Sequence, residues 1–150
     1  MIIDSTTTIP APVERVWDFV MDIPAVSRCV PGVEAFERVD DDTFEGTLKV
    51  KVGPVTVRLE GRIVVAERDR DRFVSRLEIS ARERRIASSV SATTTLTLLP
   101  TADGSTQMCV HTDASILGKL GEFGQSVMRR KADQMVGEFA KNAAVEVSRR

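Results

Sequence analysis

The spacing of hydrophobic residues changes along the chain and divides it into three parts. Residues 2–9 place isoleucines among threonines, which favour strands, so they predict a first β-strand. The apolar spacing of residues 13–20 predicts a short helix, because proline is tolerated in a first turn such as that at Pro12. Pro24 interrupts the pattern, and we expect a second short helical turn over residues 25–29.

From Val33 to Ile116 the hydrophobic and polar residues alternate with a period of two. Turn signals at Gly53-Pro54, Arg68–Asp71 and Asp103-Gly104 divide this part into strands. The alternation predicts six strands in hairpins, with one apolar face and one face in water. The apolar positions include Leu48, Val50, Leu59, Leu77, Leu96, Met108 and Val110.

The third part, from Lys119 to Val147, contains no proline and repeats its apolar residues every three or four positions. It predicts one helix roughly 45 Å long. Since this helix and the sheet each have one apolar face, we expect them to bury each other in a single α+β domain over residues 1–150. The twist of a seven-stranded antiparallel sheet would curve it around the helix, with the two short helices after strand 1.

Composition removes several classes of function. A formal net charge of −1, 5% aromatic residues and no tyrosine disfavour a nucleic-acid binder. Cys29 and Cys109 lack metal-ligand spacing, and we expect reduced thiols in the cytoplasm. Neither a signal peptide at the start nor an apolar run of about 18 residues is present, so no membrane span is predicted.

Groups able to perform acid–base chemistry are scarce on the predicted inner face of the sheet. His111 has the parity of the polar face, and Cys29 has no evident base beside it. The inward polar residues are Ser75, Thr94 and Thr112, whose hydroxyls could orient a ligand. We therefore predict no catalytic residue, no metal site and no cofactor.

The apolar face of the predicted long helix combines methionines and a phenylalanine with small residues, which makes it soft and prone to gaps. Such a face is often plain core. The alternative is a lid over an apolar ligand, because cavities lined by apolar groups stay dry and accept apolar guests. In that hypothesis the seven apolar sheet positions form the floor. The roof is formed by Val127, Met128, Met135 and Phe139.

Three motifs in order narrow the family. They are Cys29–Glu34 (CVPGVE), Leu48–Val55 (LKVKVGPV) with Leu59-Glu60-Gly61 after it, and Gly118–Gly124 (GKLGEFG). Together they resemble the CoxG family of carbon monoxide dehydrogenase subunits, within the START-like, or SRPBCC, superfamily, over essentially the whole chain. The resemblance implies a helix-grip fold and association, at the membrane, with a molybdenum CO dehydrogenase or a related hydroxylase. Those enzymes deliver electrons to a quinone, so a quinone or similar isoprenoid is the expected ligand.

The resemblance also places the Pro31-Gly32 turn near the mouth of the cavity, which makes Val30 and Val33 candidates for ligand contacts there. The family tends to have glycine-rich middle strands, whereas Ser80–Ser89 is basic and lacks glycine. Members often continue into a hydrophobic anchor, whereas this sequence ends at Arg150. The chain is then a truncated or tail-less form, or it meets membranes only at their surface.

Basic clusters offer one route to such a surface, since each lysine or arginine near anionic lipid contributes about 1 kcal/mol. Ordinary solvated surface is the alternative for them. The clusters are Arg82 with Arg84 and Arg85, Arg129 with Arg130 and Lys131, and Arg149 with Arg150. Two other functions stay open: a cyclase or dehydratase-type enzyme acting on a hydrophobic substrate, and a ligand-free assembly factor.

Overall fold

All 150 residues are described by the computed structural model, in which one sheet and three helices surround a common interior. The strands are β1 Ile2–Ile9, β2 Val33–Arg38, β3 Thr43–Val52, β4 Val55–Asp69, β5 Val74–Glu83, β6 Ser88–Pro100 and β7 Thr106–Leu117. The helices are α1 Val13–Met21, α2 Ile23–Cys29 and α3 Gln125–Ser148, with a 3₁₀ helix at Lys119–Phe123.

The seven strands form one antiparallel sheet in the order β1-β7-β6-β5-β4-β3-β2. Six of them follow one another as hairpins, as the short turns of the sequence predict. Strand β1 closes the other edge by pairing with β7, where Ile3 lies opposite Thr112. The predicted α+β architecture, with two short helices after strand 1 and a helix at the end, is confirmed.

The two short helices close one end of the sheet. The side chain of Asp22 accepts the backbone N–H of Ala25 at 3.2 Å and so caps α2. In α1, Val16, Trp17 and Val20 are buried. Phe19 is also buried, because it stacks on Phe139 of α3 with ring centroids 6.2 Å apart. Helix α1 is therefore enclosed on two sides, by the sheet and by α3.

The predicted helix from Lys119 to Val147 begins six residues later than the sequence suggests, at Gln125. Gly118 and Gly124 adopt φ values of +84° and +89°, which an α-helix excludes, and they isolate a 3₁₀ helix between them. The prediction was wrong because the apolar period continues through this segment: Leu120 is buried although it lies outside α3. Helix α3 has 24 residues and is roughly 36 Å long.

The buried core lies at the ends of the sheet. The largest cluster joins α1 and α2 to the C-terminal part of α3, through residues such as Ile9, Phe19 and Ala143. A second cluster consists of Val50, Val52, Val57 and Leu120 at the opposite end, and a third of Ile23, Phe44 and Val65. Mutual burial of sheet and helix was expected along the whole helix, but it is complete only at the C-terminal part of α3.

Candidate functional site

Helix α3 crosses the concave face of the sheet from one edge toward the other. Its backbone approaches the sheet most closely at β1, one edge, and at β3, next to the other edge. The four strands between them, β7, β6, β5 and β4, lie farther from the helix. Only Ala143 and Val147 of its 24 residues are buried. The space beneath the helix is therefore lined by side chains that protein atoms cover only in part.

The predicted roof residues all face this space and all are half-buried. Val127, Met128 and Met135 pack against the cluster around Leu120, whereas Phe139 packs against the cluster around α1. The helix side chains thus reach toward both ends of the sheet. Between those ends the apolar stripe of α3 has no continuous partner.

The predicted floor residues divide among the same clusters. Val50 and Met108 are buried, whereas the other five are half-buried. Leu59 packs with Val50 in the cluster around Leu120. Leu96 and Val110 pack with Met108 in the cluster around α1. Leu77 packs against the third cluster, which contains Phe44. Leu48 joins none of these clusters. Five large apolar floor residues thus remain incompletely covered, which is the state expected of a binding surface.

Val30 and Val33, predicted at the mouth of the cavity, lie on a turn that hydrogen bonds hold to both β3 and α3. Val30 ends α2 and Val33 begins β2, and both are half-buried. Gly32 between them has a φ of +92°, and its carbonyl accepts the N–H of Lys49 at 2.8 Å. Asn142 of α3 donates to the carbonyl of Cys29 at 3.0 Å. This turn therefore forms a rigid rim between α3 and β3.

Two hydroxyls form a polar pair in the middle of the floor. The Oγ1 atoms of Thr94 and Thr112 lie 3.0 Å apart, on paired residues of β6 and β7, and Thr94 also pairs with Leu77. Each hydroxyl has one hydrogen, and the bond between them uses one of the two. One hydrogen stays free to donate to a ligand oxygen. The third predicted inward hydroxyl, that of Ser75, instead donates to the carbonyl of Glu67 at 3.1 Å.

The nucleophilic and basic side chains lie elsewhere. His111 is exposed on the outer face, as its parity predicts, with Nδ1 2.5 Å from Asp4. Cys29 is buried, and burial raises the pKa of its thiol, which opposes the reactive thiolate form. No three histidine, cysteine or acidic residues are placed to hold a metal ion.

Glu83 was missed by the sequence reasoning, although it has the inward parity of β5 and is only 4% exposed. Its carboxylate accepts the backbone N–H of Arg58 at 2.5 Å and that of Arg85 at 3.0 Å. These bonds hold the pKa of Glu83 below its ordinary value, the Arg58 bond most strongly. A carboxylate that is ionised and already engaged by two donors ties β4 to the β5–β6 turn. In the sequence, only its place in the alternating pattern of β5 indicates that Glu83 points inward.

We expect Glu83→Gln to lower the free energy of unfolding by about 1–3 kcal/mol at neutral pH, because the charge is lost from two part-buried bonds and glutamine keeps only one acceptor oxygen for the two N–H groups. Since the folded-state pKa is lowered from 4.5, this contribution is complete above pH 4.5 and disappears as the pH falls through the folded value. Urea unfolding at pH 7 and at low pH should show the difference between the proteins shrinking. Glu78→Gln, an exposed change on the same strand, is the control. An equal effect of both changes would contradict the structural role of Glu83.

Several of the predicted basic clusters have partners within the protein. Arg84 pairs with Glu60, Arg129 donates to the carbonyl of Ile2, and Arg150 pairs with Asp22. Arg82, Arg130 and Arg149 are exposed and have no side-chain partner. The clusters are therefore less available to a membrane than their sequence suggests. None of the helices combines the length and hydropathy needed to cross a bilayer.

The chain resembles known proteins both in sequence and in fold. The family model for CoxG of carbon monoxide dehydrogenase matches residues 6–148. No curated protein matches the sequence. Among solved structures, a conserved protein from Geobacillus kaustophilus is 21% identical with a TM-score of 0.89, and the alignment covers 99% of this chain and 96% of that one.

Two other structures share the fold at lower identity. An aromatase/cyclase from Streptomyces sp. R1128 is 17% identical with a TM-score of 0.71, covering 100% of this chain and 94% of its own. A START superfamily protein from Mycobacterium smegmatis is 12% identical with a TM-score of 0.68, covering 99% and 97%. These likenesses confirm the predicted START-like helix-grip fold.

Proposed function

Because the chain belongs to the CoxG family of carbon monoxide dehydrogenase subunits, we propose that it binds a lipophilic small molecule between its sheet and α3. In this proposal it acts as an accessory carrier and membrane-recruitment factor for a molybdenum CO dehydrogenase or a related hydroxylase. The observation that carries the binding proposal is the pair of facing apolar surfaces that protein atoms cover only in part.

The energetics favour a ligand with a long hydrocarbon portion. Each CH₂ group moved from water into an apolar site contributes about 0.8 kcal/mol. A chain of about ten carbons gains about 8 kcal/mol before ordering costs, which is enough for tight binding without any ion pair. The lining supports such a guest, because methionines adapt to irregular shapes and leucines present flat apolar area.

The polar pair in the floor supports a quinone in particular. A quinone carries carbonyl oxygens that accept hydrogen bonds, and the free hydrogen of the Thr94–Thr112 pair is a matching donor. Leu77 on β5 and Ile3 on β1 flank the pair in register, so a bound carbonyl would have apolar neighbours on both sides. The isoprenoid tail would then extend along the half-buried leucines.

We propose no catalytic role. General acid–base chemistry needs a group of suitable pKa within hydrogen-bond reach of the substrate. His111 lies on the outer face, and both oxygens of Glu83 are engaged by backbone donors. The cyclase alternative would require Glu83 to leave those donors and gain a proton, which its lowered pKa opposes.

Extraction of a quinone from vesicles tests the carrier proposal. The purified protein, incubated with vesicles containing decylubiquinone and then separated from them, should retain quinone detectable by solvent extraction and native mass spectrometry. Anionic vesicles should transfer quinone faster than neutral ones if basic residues such as Arg130 contact the membrane. The same quinone should raise the melting temperature, because it binds only the folded state.

Absence of any retained lipophile, together with no thermal shift on adding decylubiquinone, would exclude the carrier role and favour the assembly factor. Thr94→Val refines the test. It should weaken quinone binding but leave binding of an alkane of equal length unchanged, since only the quinone has an acceptor. Equal losses for both ligands would contradict an orienting role for the threonine pair.

A further inference from the structure

The outer face of the sheet, opposite the lipophile site, carries an open groove of about 910 Å³. It crosses β2, β3, β4, β5 and β6, and its floor is one row of residues in register. That row is Phe36, Gly46, Gly61, Ala81 and Val90. The side chains of this row point to the inner face or are absent, so the outer surface sinks along it. The groove is therefore a strip of exposed backbone between two rows of outward side chains.

Outward side chains form its two walls. One wall is the row Glu37, Glu45, Arg62, Ser80 and Ser91. The other is the row Ala35, Thr47, Glu60, Arg82 and Ser89. Toward β6, the first wall has two acidic residues, one basic residue and two serines, and the second wall has one acidic residue, one basic residue and one serine after Ala35 and Thr47. The groove therefore has a charge gradient across the sheet.

Most of the charges in the groove are already neutralised by neighbours. Arg62 pairs with Glu45 at 2.5 Å, and Glu60 pairs with Arg84 at 3.6 Å. Glu37 on β2 and Arg82 on β5 have no ion pair and no side-chain hydrogen bond. They lie on opposite walls three strands apart, which places them roughly 15 Å from each other. The groove thus presents one free acid and one free base at a fixed separation.

We propose that this groove is the docking site for an extended peptide segment of a partner protein, with a cationic and an anionic side chain five residues apart. Side chains of an extended peptide alternate in direction, so an odd spacing is needed to reach opposite walls. The groove is roughly 20 Å long, the length of about six residues in extended conformation. Glu37 would bind the cation and Arg82 the anion, while the serines of β5 and β6 bond the peptide backbone. A peptide docked there leaves the lipophile site on the opposite face unobstructed.

Two other occupants fit less well. An anionic membrane would be repelled by the unpaired Glu37, and a flat bilayer does not enter a groove. A second copy of the chain could pair Glu37 with Arg82 about a two-fold axis. Two grooves facing each other would leave an unfilled channel, so shape favours the peptide.

The test is fluorescence anisotropy with labelled, end-blocked hexapeptides made of one lysine, one aspartate and serine elsewhere, in which the spacing of the two charges varies. Binding should be tightest when the charges are five residues apart and should weaken in high salt. Arg82→Gln and Glu37→Gln should each weaken it at least fivefold. Lys51→Gln, on the same face outside the groove, should leave it unchanged.

Binding independent of spacing, or equal in all three variants, would overturn the proposal, as would no binding of any hexapeptide. Sedimentation of the protein alone distinguishes the second copy. A concentration-dependent dimer that Arg82→Gln abolishes would assign the groove to self-association. Decylubiquinone retention by these variants should match the unmodified protein, so that failure of the groove and failure of the carrier proposal can be told apart.

Discussion

Replacing Met135 with tryptophan is expected to abolish lipophile binding while the protein stays folded. Met135 is half-buried and faces the floor from the middle of α3, next to the cluster around Leu120. A larger, rigid side chain there would occupy the space that the ligand needs. Binding of decylubiquinone should weaken at least tenfold, measured by thermal shift and by quinone retained after extraction.

The melting temperature of the ligand-free Met135→Trp protein separates the two interpretations of the helix face. Overpacking a filled core costs about 1–3 kcal/mol, and each kcal/mol lowers the melting temperature by about 2–4 °C in a domain of this size. If the space is open, the tryptophan fills it at little cost. Val145→Trp is the matched control, because Val145 is on the same helix but 51% exposed. A marked drop for Met135→Trp alone would indicate a packed core and support the assembly factor.

The sheet could be predicted from the sequence because its signal is local. Side chains on a strand alternate between faces whatever the rest of the fold does. Parity therefore placed His111 outside, and it placed Thr94 and Thr112 together inside, before any pairing was known. The same parity applies to Glu83, but the sequence does not show that two backbone N–H groups would hold its carboxylate.

The packing partners of the apolar face of α3 were harder to predict, because periodicity identifies the apolar residues but not the residues that cover them. Phe139 and Met135 have the same spacing, yet Phe139 packs on Phe19 whereas Met135 joins the opposite cluster. That division depends on how α1 fills one end of the curved sheet. Residues far apart in sequence decide it, so periodicity could supply the lining residues but not the space between them.

Gly118→Ala is expected to destabilise the protein by more than about 3 kcal/mol, the other large effect. Gly118 begins the GKLGEFG motif and has φ +84° and ψ −161°, a conformation essentially restricted to glycine. An added Cβ would lie 2.1 Å from the carbonyl oxygen of Ala87 and 3.0 Å from Cα of Ser88. Backbone atoms cannot move aside as a flexible side chain can. The β5–β6 turn would have to separate from the start of the 3₁₀ helix.

That separation would also break a buried contact, since Ser88 Oγ accepts the N–H of Leu120 at 2.9 Å, and Leu120 completes the core at this end. Gly124→Ala is the control, because it shows the cost of the backbone angles without a steric clash. Gly124 has φ +89° and ψ 158°, but nothing lies within 4 Å of an added Cβ. Urea unfolding should show a cost of about 1–3 kcal/mol for Gly124→Ala and a clearly larger one for Gly118→Ala. Equal costs would mean that the β5–β6 turn moves away from the added Cβ without loss of stability. Gly118 would then be needed only for its backbone angles.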